Sequence, residues 1–216
     1  MKRLILVCML VFGIVGCEES AESQIQRVFD RLIEAEISGD DSEYLALLSR
    51  DSIAWHAPLI AVALDGTPAE VRALPPIERL EVLTMRHRST RDKLTGLSAE
   101  AYVRMSTREK WFADEPGLRY TLKRIKVSVD TAQSDVYVDG KPAYYTACFI
   151  REDDEWKFDL VATVGLMNAA MPLRAREFGL SLNDYLISLV EDNTEEAVSP
   201  GIWNPMPKPP LPPGGR

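Results

Sequence analysis

The sequence predicts an α+β protein in which N-terminal helices pack on an antiparallel sheet, followed by a C-terminal helix. Apolar residues recur every three or four positions over residues 25–37, which is the period of an amphipathic helix. From residue 119 to 163 the apolar residues instead alternate with a period of two, which indicates strands. A composition of 46% hydrophobic and 27% charged residues is that of a globular protein.

The elements before the sheet are predicted from caps, breakers and apolar spacing. Gly39 and Asp40 end the first helix, Pro58 ends a first strand, and residues 59–74 are weakly patterned. In chain order we predict a helix over 25–37, a short helix capped by Ser42, a strand over 52–57, a helix opened by Pro75-Pro76, and a helix from Ser98 to about 112.

The second half is predicted as a meander of strands joined by tight turns. The strands are expected over 119–129, 133–139, 142–151 and 156–163. The alternation fails near Lys123-Arg124, which predicts a β-bulge, and Asp139-Gly140 is a turn sequence. Ser181 caps a last helix. Seven of the seventeen residues in 200–216 are Pro, which predicts a disordered, polyproline-like tail or a ligand for a partner's groove.

The N-terminus has the pattern of a signal peptide. Lys2 and Arg3 precede an apolar run over residues 4–15. A helix of that length is about 18 Å long, which is too short for a hydrocarbon core of about 30 Å. We therefore predict a signal peptide rather than a membrane-spanning anchor.

Residues 14–17, Ile-Val-Gly-Cys, resemble the bacterial lipobox. This resemblance implies cleavage after residue 16 and acylation of Cys17, with residues 17–23 as a short linker; the alternative is an ordinary secretory signal. Several acyl chains would anchor the protein stably in a bilayer. Glu18 is not the Asp that retains lipoproteins in the inner membrane, so a Gram-negative source would imply the outer membrane, facing the periplasm.

Processing would also change the charge and the cysteine content. The full chain has a net charge of -8, and loss of residues 1–16 leaves 23 Lys and Arg against 33 Asp and Glu, a net charge of -10. This acidity excludes nucleic acid as the expected partner. Cys148 would be the remaining unmodified thiol, and its place in a predicted strand indicates burial.

The order of elements resembles the nuclear transport factor 2-like superfamily, whose domain is a cystatin-like cone of helices and a curved sheet. Residues 25–53 resemble its opening helices, residues 51–58 the first strand of polyketide-cyclase-like members, and residues 120–160 the final meander. The resemblance implies one domain over 24–164, with 165–199 as a helical extension and 200–216 as the tail. Because this superfamily contains enzymes, carriers and scaffolds, it leaves the function open.

Catalytic members of that superfamily use an Asp or a His–Asp pair inside the cone, which makes His56 the candidate here. It would need Asp51 or a carboxylate on the meander as a partner; otherwise it is a polar residue at the end of a strand. The aromatic residues form either an apolar pocket with His56 or simply the core. The residues concerned are Trp55, Trp111, Tyr145, Trp156 and Phe158.

Basic residues cluster over 86–93, where Arg86, Arg88 and Arg91 are candidates to bind an anion such as a phosphate or a lipid headgroup. The alternative is a helix end whose cations offset the helix dipole. No set of residues has metal-ligand spacing, and no phosphate loop or nucleophile motif is present, so we expect neither a metal nor a cofactor.

We therefore expect a membrane-anchored envelope lipoprotein with a non-catalytic ligand-binding or assembly domain. Its partners would be the lipid bilayer, through acylated Cys17, and a small apolar ligand or an envelope protein. Two alternatives remain open at this point. One is a pocket enzyme of the isomerase or cyclase type that uses His56, and the other is a structural partner in an envelope complex.

Overall fold

The computed structural model describes residues 19–112, 117–192, 194 and 196–208. Predictions for residues 1–18, including the signal peptide and Cys17, and for residues 209–216 lie outside this part. The α+β fold class is confirmed, with helices around an open antiparallel sheet. Within the described residues, no helix has both the length and the apolarity needed to cross a membrane.

Helices make up the described chain before the sheet. They are α1 (Ala21–Ser38), α2 (Asp41–Leu47), α3 (Arg50–Ala54), α4 (His56–Asp65), α5 (Pro68–Ala73), α6 (Pro76–Arg88), α7 (Arg91–Leu94) and α8 (Ala99–Arg108). The predicted first helix is confirmed as α1, which buries its apolar face and ends at Gly39, where φ is +81°. The cap of α2 is Asp40 rather than the predicted Ser42, since its side chain accepts from the Glu43 N–H.

The predicted strand over 52–57 is wrong, because this segment forms α3 and the start of α4. The Ser49 hydroxyl accepts from the Ser52 N–H and so caps α3. Pro58 lies in the first turn of α4, where its missing N–H is not needed. The Ser52 hydroxyl in turn donates to the Phe158 carbonyl, which holds this helical segment against the end of the sheet.

The sheet has four strands in the order β1-β2-β3-β4: β1 (Tyr120–Val127), β2 (Thr131–Val138), β3 (Lys141–Glu152) and β4 (Glu155–Phe158). A single bridge from Leu48 to Phe158 extends its β4 edge. The predicted bulge is confirmed, because the β1–β2 register shifts between Lys123 and Lys126. Asp139 and Gly140 both have positive φ, as a two-residue hairpin turn requires. As predicted, Cys148 is buried, in β3.

The predicted fourth strand is too long. The Asp159 side chain accepts from the Ala162 N–H and starts α9 (Leu160–Glu177) directly after β4. The predicted domain boundary between residues 164 and 165 therefore falls inside one helix, which packs against β3 and α6. The last predicted helix is confirmed as α10 (Leu182–Asp192), which packs on α6, with the Ser181 hydroxyl accepting from the Asp184 N–H.

The start of the Pro-rich tail is folded, so the prediction of disorder is wrong for residues 200–208. A 3-10 helix spans Pro200–Trp203, and the side chains of Ile202 and Met206 are buried in the core. The Met206 N–H donates to the Leu64 carbonyl, and the Arg72 guanidinium lies 4.8 Å from the centre of the Trp203 ring. The tail is thus tied to α4, α5 and α6 by backbone, apolar and cation–π contacts.

Candidate functional site

A cavity of about 250 Å³ lies among α4, α6 and α8, with α1, α2 and α9 completing its walls. Most of its lining is apolar or aromatic. The polar residues that line it come from α1, α2, α4, α6, α8 and the segment after α8: Glu36, Tyr44, His56, Glu81, Ser106, Thr107 and Lys110. This combination of apolar walls and a few polar groups is typical of small-molecule sites.

Glu81 is the buried acid of this cavity, and its side chain is 9% exposed. It lies one turn after Ile77 on α6, so its carboxyl group points in the same direction as the helix's apolar face. The Tyr102 hydroxyl donates to Oε1 over 2.5 Å. No donor among the described residues reaches Oε2, which leaves one carboxylate oxygen available to the cavity.

Burial raises the pKa of the Glu81 carboxyl from 4.5 to about 7, although the Tyr102 hydrogen bond lowers it in part. Burial also raises the pKa of the Tyr102 hydroxyl well above 10, so Tyr102 stays a hydrogen-bond donor at neutral pH. Glu81 therefore changes its charge near neutral pH, inside an apolar cavity.

His56, the first residue of α4, lies beside this carboxyl group. Its Nδ1 is 3.3 Å from the Ile53 carbonyl, which can only accept, so in the neutral ring Nδ1 carries the proton. Nε2 then faces Glu81 Oε1 at 3.8 Å, which is beyond hydrogen-bond distance. Burial lowers the pKa of His56 to about 4, so the imidazole is neutral at pH 7 and does not balance the carboxylate charge.

Aromatic rings hold this group of polar residues in place. The Trp55 and His56 rings meet edge to face at 4.9 Å between centroids, and Tyr102 meets Trp111 in the same way at 5.8 Å. The Trp111 indole N–H donates to Glu109 Oε2 over 3.0 Å, which orients the ring. His56 and Tyr102 are therefore each packed against a tryptophan ring.

The structure brings together half of the predicted pocket. Trp55, His56 and Trp111 line the cavity, whereas Tyr145, Trp156 and Phe158 are not among its lining residues. Trp156 and Phe158 are buried in the core, where Phe158 meets Phe149 edge to face at 5.8 Å. The prediction failed for these residues because the cavity lies among helices and not inside the sheet.

Glu81 was missed by the sequence analysis, and so was its partner Tyr102. A signal was present, since Glu81 occupies position i+4 from Ile77 on the apolar face of a predicted helix. A carboxyl group at such a position is either paired or functional. The predicted partner of His56 was Asp51, but in the structure the acid near His56 comes from α6, 25 positions along the chain.

The prediction that Arg86 binds an anion is not supported by its surroundings. Its Nε donates to the Ala63 carbonyl, its Nη2 to those of Val62 and Gly66, and its Nη1 to those of Ile202 and Trp203, all within 3.2 Å. The guanidinium group is buried and fully used by main-chain carbonyls. Its role in the structure is to join the tail to α4.

Arg91 and Arg88 also face protein groups. Arg91 donates to the carbonyls of Leu64 and Met206 and to Asp65 Oδ1, at 2.6 to 3.1 Å. Arg88 is half-buried, and burial lowers its pKa while the carboxylates of Glu109 and Glu196 raise it. Arg86 and Arg91 line a wider cavity of about 510 Å³ beside the tail, but Arg88 does not, so the three cations form no common site.

The described residues contain no group of three or more His, Cys, Asp or Glu side chains placed to hold a metal ion. In comparisons with known proteins, no family model, no curated protein and no solved structure matches this chain. The geometry of the cavity around Glu81 is therefore the feature that points to a function.

Proposed function

We propose that this protein is a small-molecule binding module. The observation that carries the proposal is the open oxygen of Glu81 inside an apolar, aromatic cavity. Burying a carboxyl group without full hydrogen bonding costs free energy of folding. A ligand that donates to the open oxygen would offset this cost. Apolar walls supply most of the binding free energy in such pockets, and a few polar groups orient the ligand.

The cavity volume limits the size of this ligand. A volume of about 250 Å³ exceeds the roughly 150 Å³ cavity that accepts benzene and is slightly below the roughly 300 Å³ at which drug-sized sites begin. A ligand with one ring or a short branched chain, and one polar group directed at Glu81, fits these limits.

A cavity-filling variant tests the proposal. Leu80 lines the cavity and is half-buried on α6, so Leu80→Trp is expected to occupy the site. Leu189→Trp is the matched control, because Leu189 is half-buried on α10 outside the cavity. We expect single-ring fragments detected by ligand-observed NMR to bind the wild type and Leu189→Trp but not Leu80→Trp. Binding that survives Leu80→Trp, or a wild type that binds no fragment, would refute the proposal.

We propose further that the module is tethered to a membrane through acylated Cys17. The lipobox resemblance supports this. Because α1 starts at Ala21, the three residues between it and Cys17 keep the helix within about 14 Å of the acylated residue. The folded chain would then lie next to the bilayer, at the outer membrane facing the periplasm in a Gram-negative source.

In cells fed labelled palmitate, Cys17→Ser should remove the label and the control Cys8→Ser should retain it. A labelled Cys17→Ser variant would contradict the anchor.

Proton transfer is a second candidate function, favoured by the pKa of about 7 at Glu81. His56 Nε2, 3.8 Å away, is too far for a hydrogen bond in this state, so binding remains the leading proposal. Exchange of a ligand C–H proton with deuterated water, lost in Glu81→Gln, would establish an isomerase-type activity.

We propose a resemblance to the cone-shaped domain of the nuclear transport factor 2-like superfamily only for α1 and the bulged sheet. It is supported by α1 packing against β1 and β4. Residues 51–58, which resembled the first strand of that superfamily, are helical, so α3 and the start of α4 depart from the resemblance.

A further inference from the structure

We propose that the ligand is an organic cation, namely a primary or secondary ammonium group attached to one aromatic ring or a similarly compact apolar group. This inference rests on the proposed binding function and specifies the ligand class of the same cavity. It is drawn from the charges around Glu81, the hydrogen-bonding state of its two oxygens and the chemistry of the walls.

The charge balance of the cavity favours a cation. Among the described residues, the only basic group within ion-pair distance of Glu81 is His56, and burial keeps that imidazole neutral. Lys110 lines the cavity but is exposed, whereas Glu36 lines it and is half-buried. With Glu81 ionised, the groups on the cavity carry a formal net charge of -1, so a ligand anion would be repelled and a cation attracted.

The hydrogen bonds of Glu81 narrow the choice to a cation that has an N–H. Oε1 already accepts from the Tyr102 hydroxyl, and Oε2 accepts from no described protein group. A carboxylate oxygen can only accept, so its ligand partner must be a donor. An ammonium N–H supplies both the donor and the opposite charge, and such charge-assisted bonds are roughly twice as strong as neutral ones.

The cavity walls suit the rest of such a molecule. Tyr44, Trp55, Trp111 and Phe112 all line the cavity. Their rings can pack on an aromatic group and can also attract a cation through their π faces, most strongly in the case of Trp. Apolar and aromatic walls next to a buried carboxylate suit a small aralkylamine, and they leave little room for a heavily hydrated polar ligand.

Because a cation needs the ionised form of Glu81, its affinity for the cavity should depend on pH. The pKa of Glu81 is about 7, so a cation that needs the ionised carboxylate must displace a proton below that pH. The other groups facing the site are Tyr102 and the lining residues Glu36, Tyr44, His56 and Lys110. Burial keeps Tyr44 and Tyr102 protonated and His56 neutral between pH 5.5 and pH 8. Affinity should therefore rise with pH and level off above about 7.

The test uses three probes of similar size and different charge: 2-phenylethylamine, 2-phenylethanol and phenylacetate. By isothermal titration calorimetry, the amine should bind most tightly, and its affinity should be about 30-fold higher at pH 8 than at pH 5.5. In Glu81→Gln the amine should lose about 10- to 100-fold in affinity and its pH dependence. Glu78→Gln is the matched control, on the same helix but not on the cavity, and should change neither.

The outcomes separate this inference from the proposal on which it rests. If the alcohol or the carboxylate binds as tightly as the amine and Leu80→Trp blocks this binding, the cavity is a binding site but its preference for a cation is refuted. An amine affinity that is independent of pH in the wild type would also overturn the inference. If none of the three probes binds, the results contradict both this inference and the ligand size proposed from the cavity volume.

Discussion

Helix α6 carries two buried charged residues with opposite kinds of surroundings. Arg86 directs five donor contacts at main-chain carbonyls of α4, the residue after it and the tail. Glu81, five positions earlier, accepts one hydrogen bond from Tyr102 and leaves its second oxygen to a cavity.

The comparison shows how two buried charges can serve different purposes. A guanidinium group with all its donors satisfied joins segments of the chain and has nothing left for a ligand. A carboxyl group with an open oxygen adds little to the stability of the fold, and its ionised form is destabilising. The Arg86 end of α6 is therefore structural, and we place the binding site at the Glu81 end.

The largest expected effect is at Arg86. Arg86→Met should lower the free energy of unfolding by roughly 4 kcal/mol, because buried carbonyls from two segments lose their donors together. Arg27→Met, at a side chain that is 54% exposed, is the control and should leave the free energy of unfolding almost unchanged. Urea denaturation measures both variants. A similarly small loss for Arg86→Met would show that the carbonyls are satisfied without it.

Removal of the tail should be almost as costly. Ending the chain at Ser199 exposes the sites of Ile202 and Met206 and removes two of the Arg86 contacts. We expect a loss of roughly 3 kcal/mol, or a Tm lower by about 6–12 °C. A chain ending at Lys208 keeps every described contact of the tail and is the control. Equal Tm values for the two truncations would refute the structural role of residues 200–208.

Glu81 should make the free energy of unfolding depend on pH. Its pKa is about 7 in the folded chain and near 4.5 when solvated, so the folded state holds an extra proton between these values and loses stability as the pH rises through them. From pH 5.5 to 8, the wild type should lose about 2 kcal/mol relative to Glu81→Gln. Glu78→Gln should follow the wild type. Parallel stability curves for wild type and Glu81→Gln would contradict the raised pKa.

The smallest effect concerns the one hydrogen bond that Glu81 accepts. The Tyr102 hydroxyl lowers the pKa of Glu81, so Tyr102→Phe should raise it by roughly one unit. Carbon-13 NMR of the labelled Glu81 carboxyl group measures this shift. Tyr185→Phe, on α10, controls for the loss of a buried hydroxyl and should leave the titration unchanged. A pKa that does not rise in Tyr102→Phe would mean that the bond is not formed in solution.

The predictions from sequence succeeded where neighbouring residues decide the structure. The first helix, the bulged first strand, the Asp139-Gly140 turn and the last helix were all placed correctly. They failed at residues 52–57 and at 160–163, where apolar alternation suggested strands. In both places a side-chain cap, Ser49 or Asp159, starts a helix instead.

The candidate site was predicted only in part. Trp55, His56 and Trp111 were proposed as pocket residues and do line one cavity, although the predicted strand would have presented His56 differently. Glu81 was overlooked because a Glu on a helix is usually solvated, and only the packing of α4 on α6, with Tyr102 of α8 bonded to the carboxyl group, takes it out of water. The same packing turned Arg86 from an expected surface cation into a buried connection.

The sequence by itself determined the fold class, the change from helical to strand periodicity, and the turns of the meander, because each depends on residues a few positions apart. The tertiary structure alone decided which charges are buried and which of them are satisfied. His56, Glu81 and Tyr102 come from three helices, and the Arg86 acceptors come from segments more than a hundred positions apart. Burial and hydrogen bonding between such distant residues follow from packing, and local sequence does not encode them.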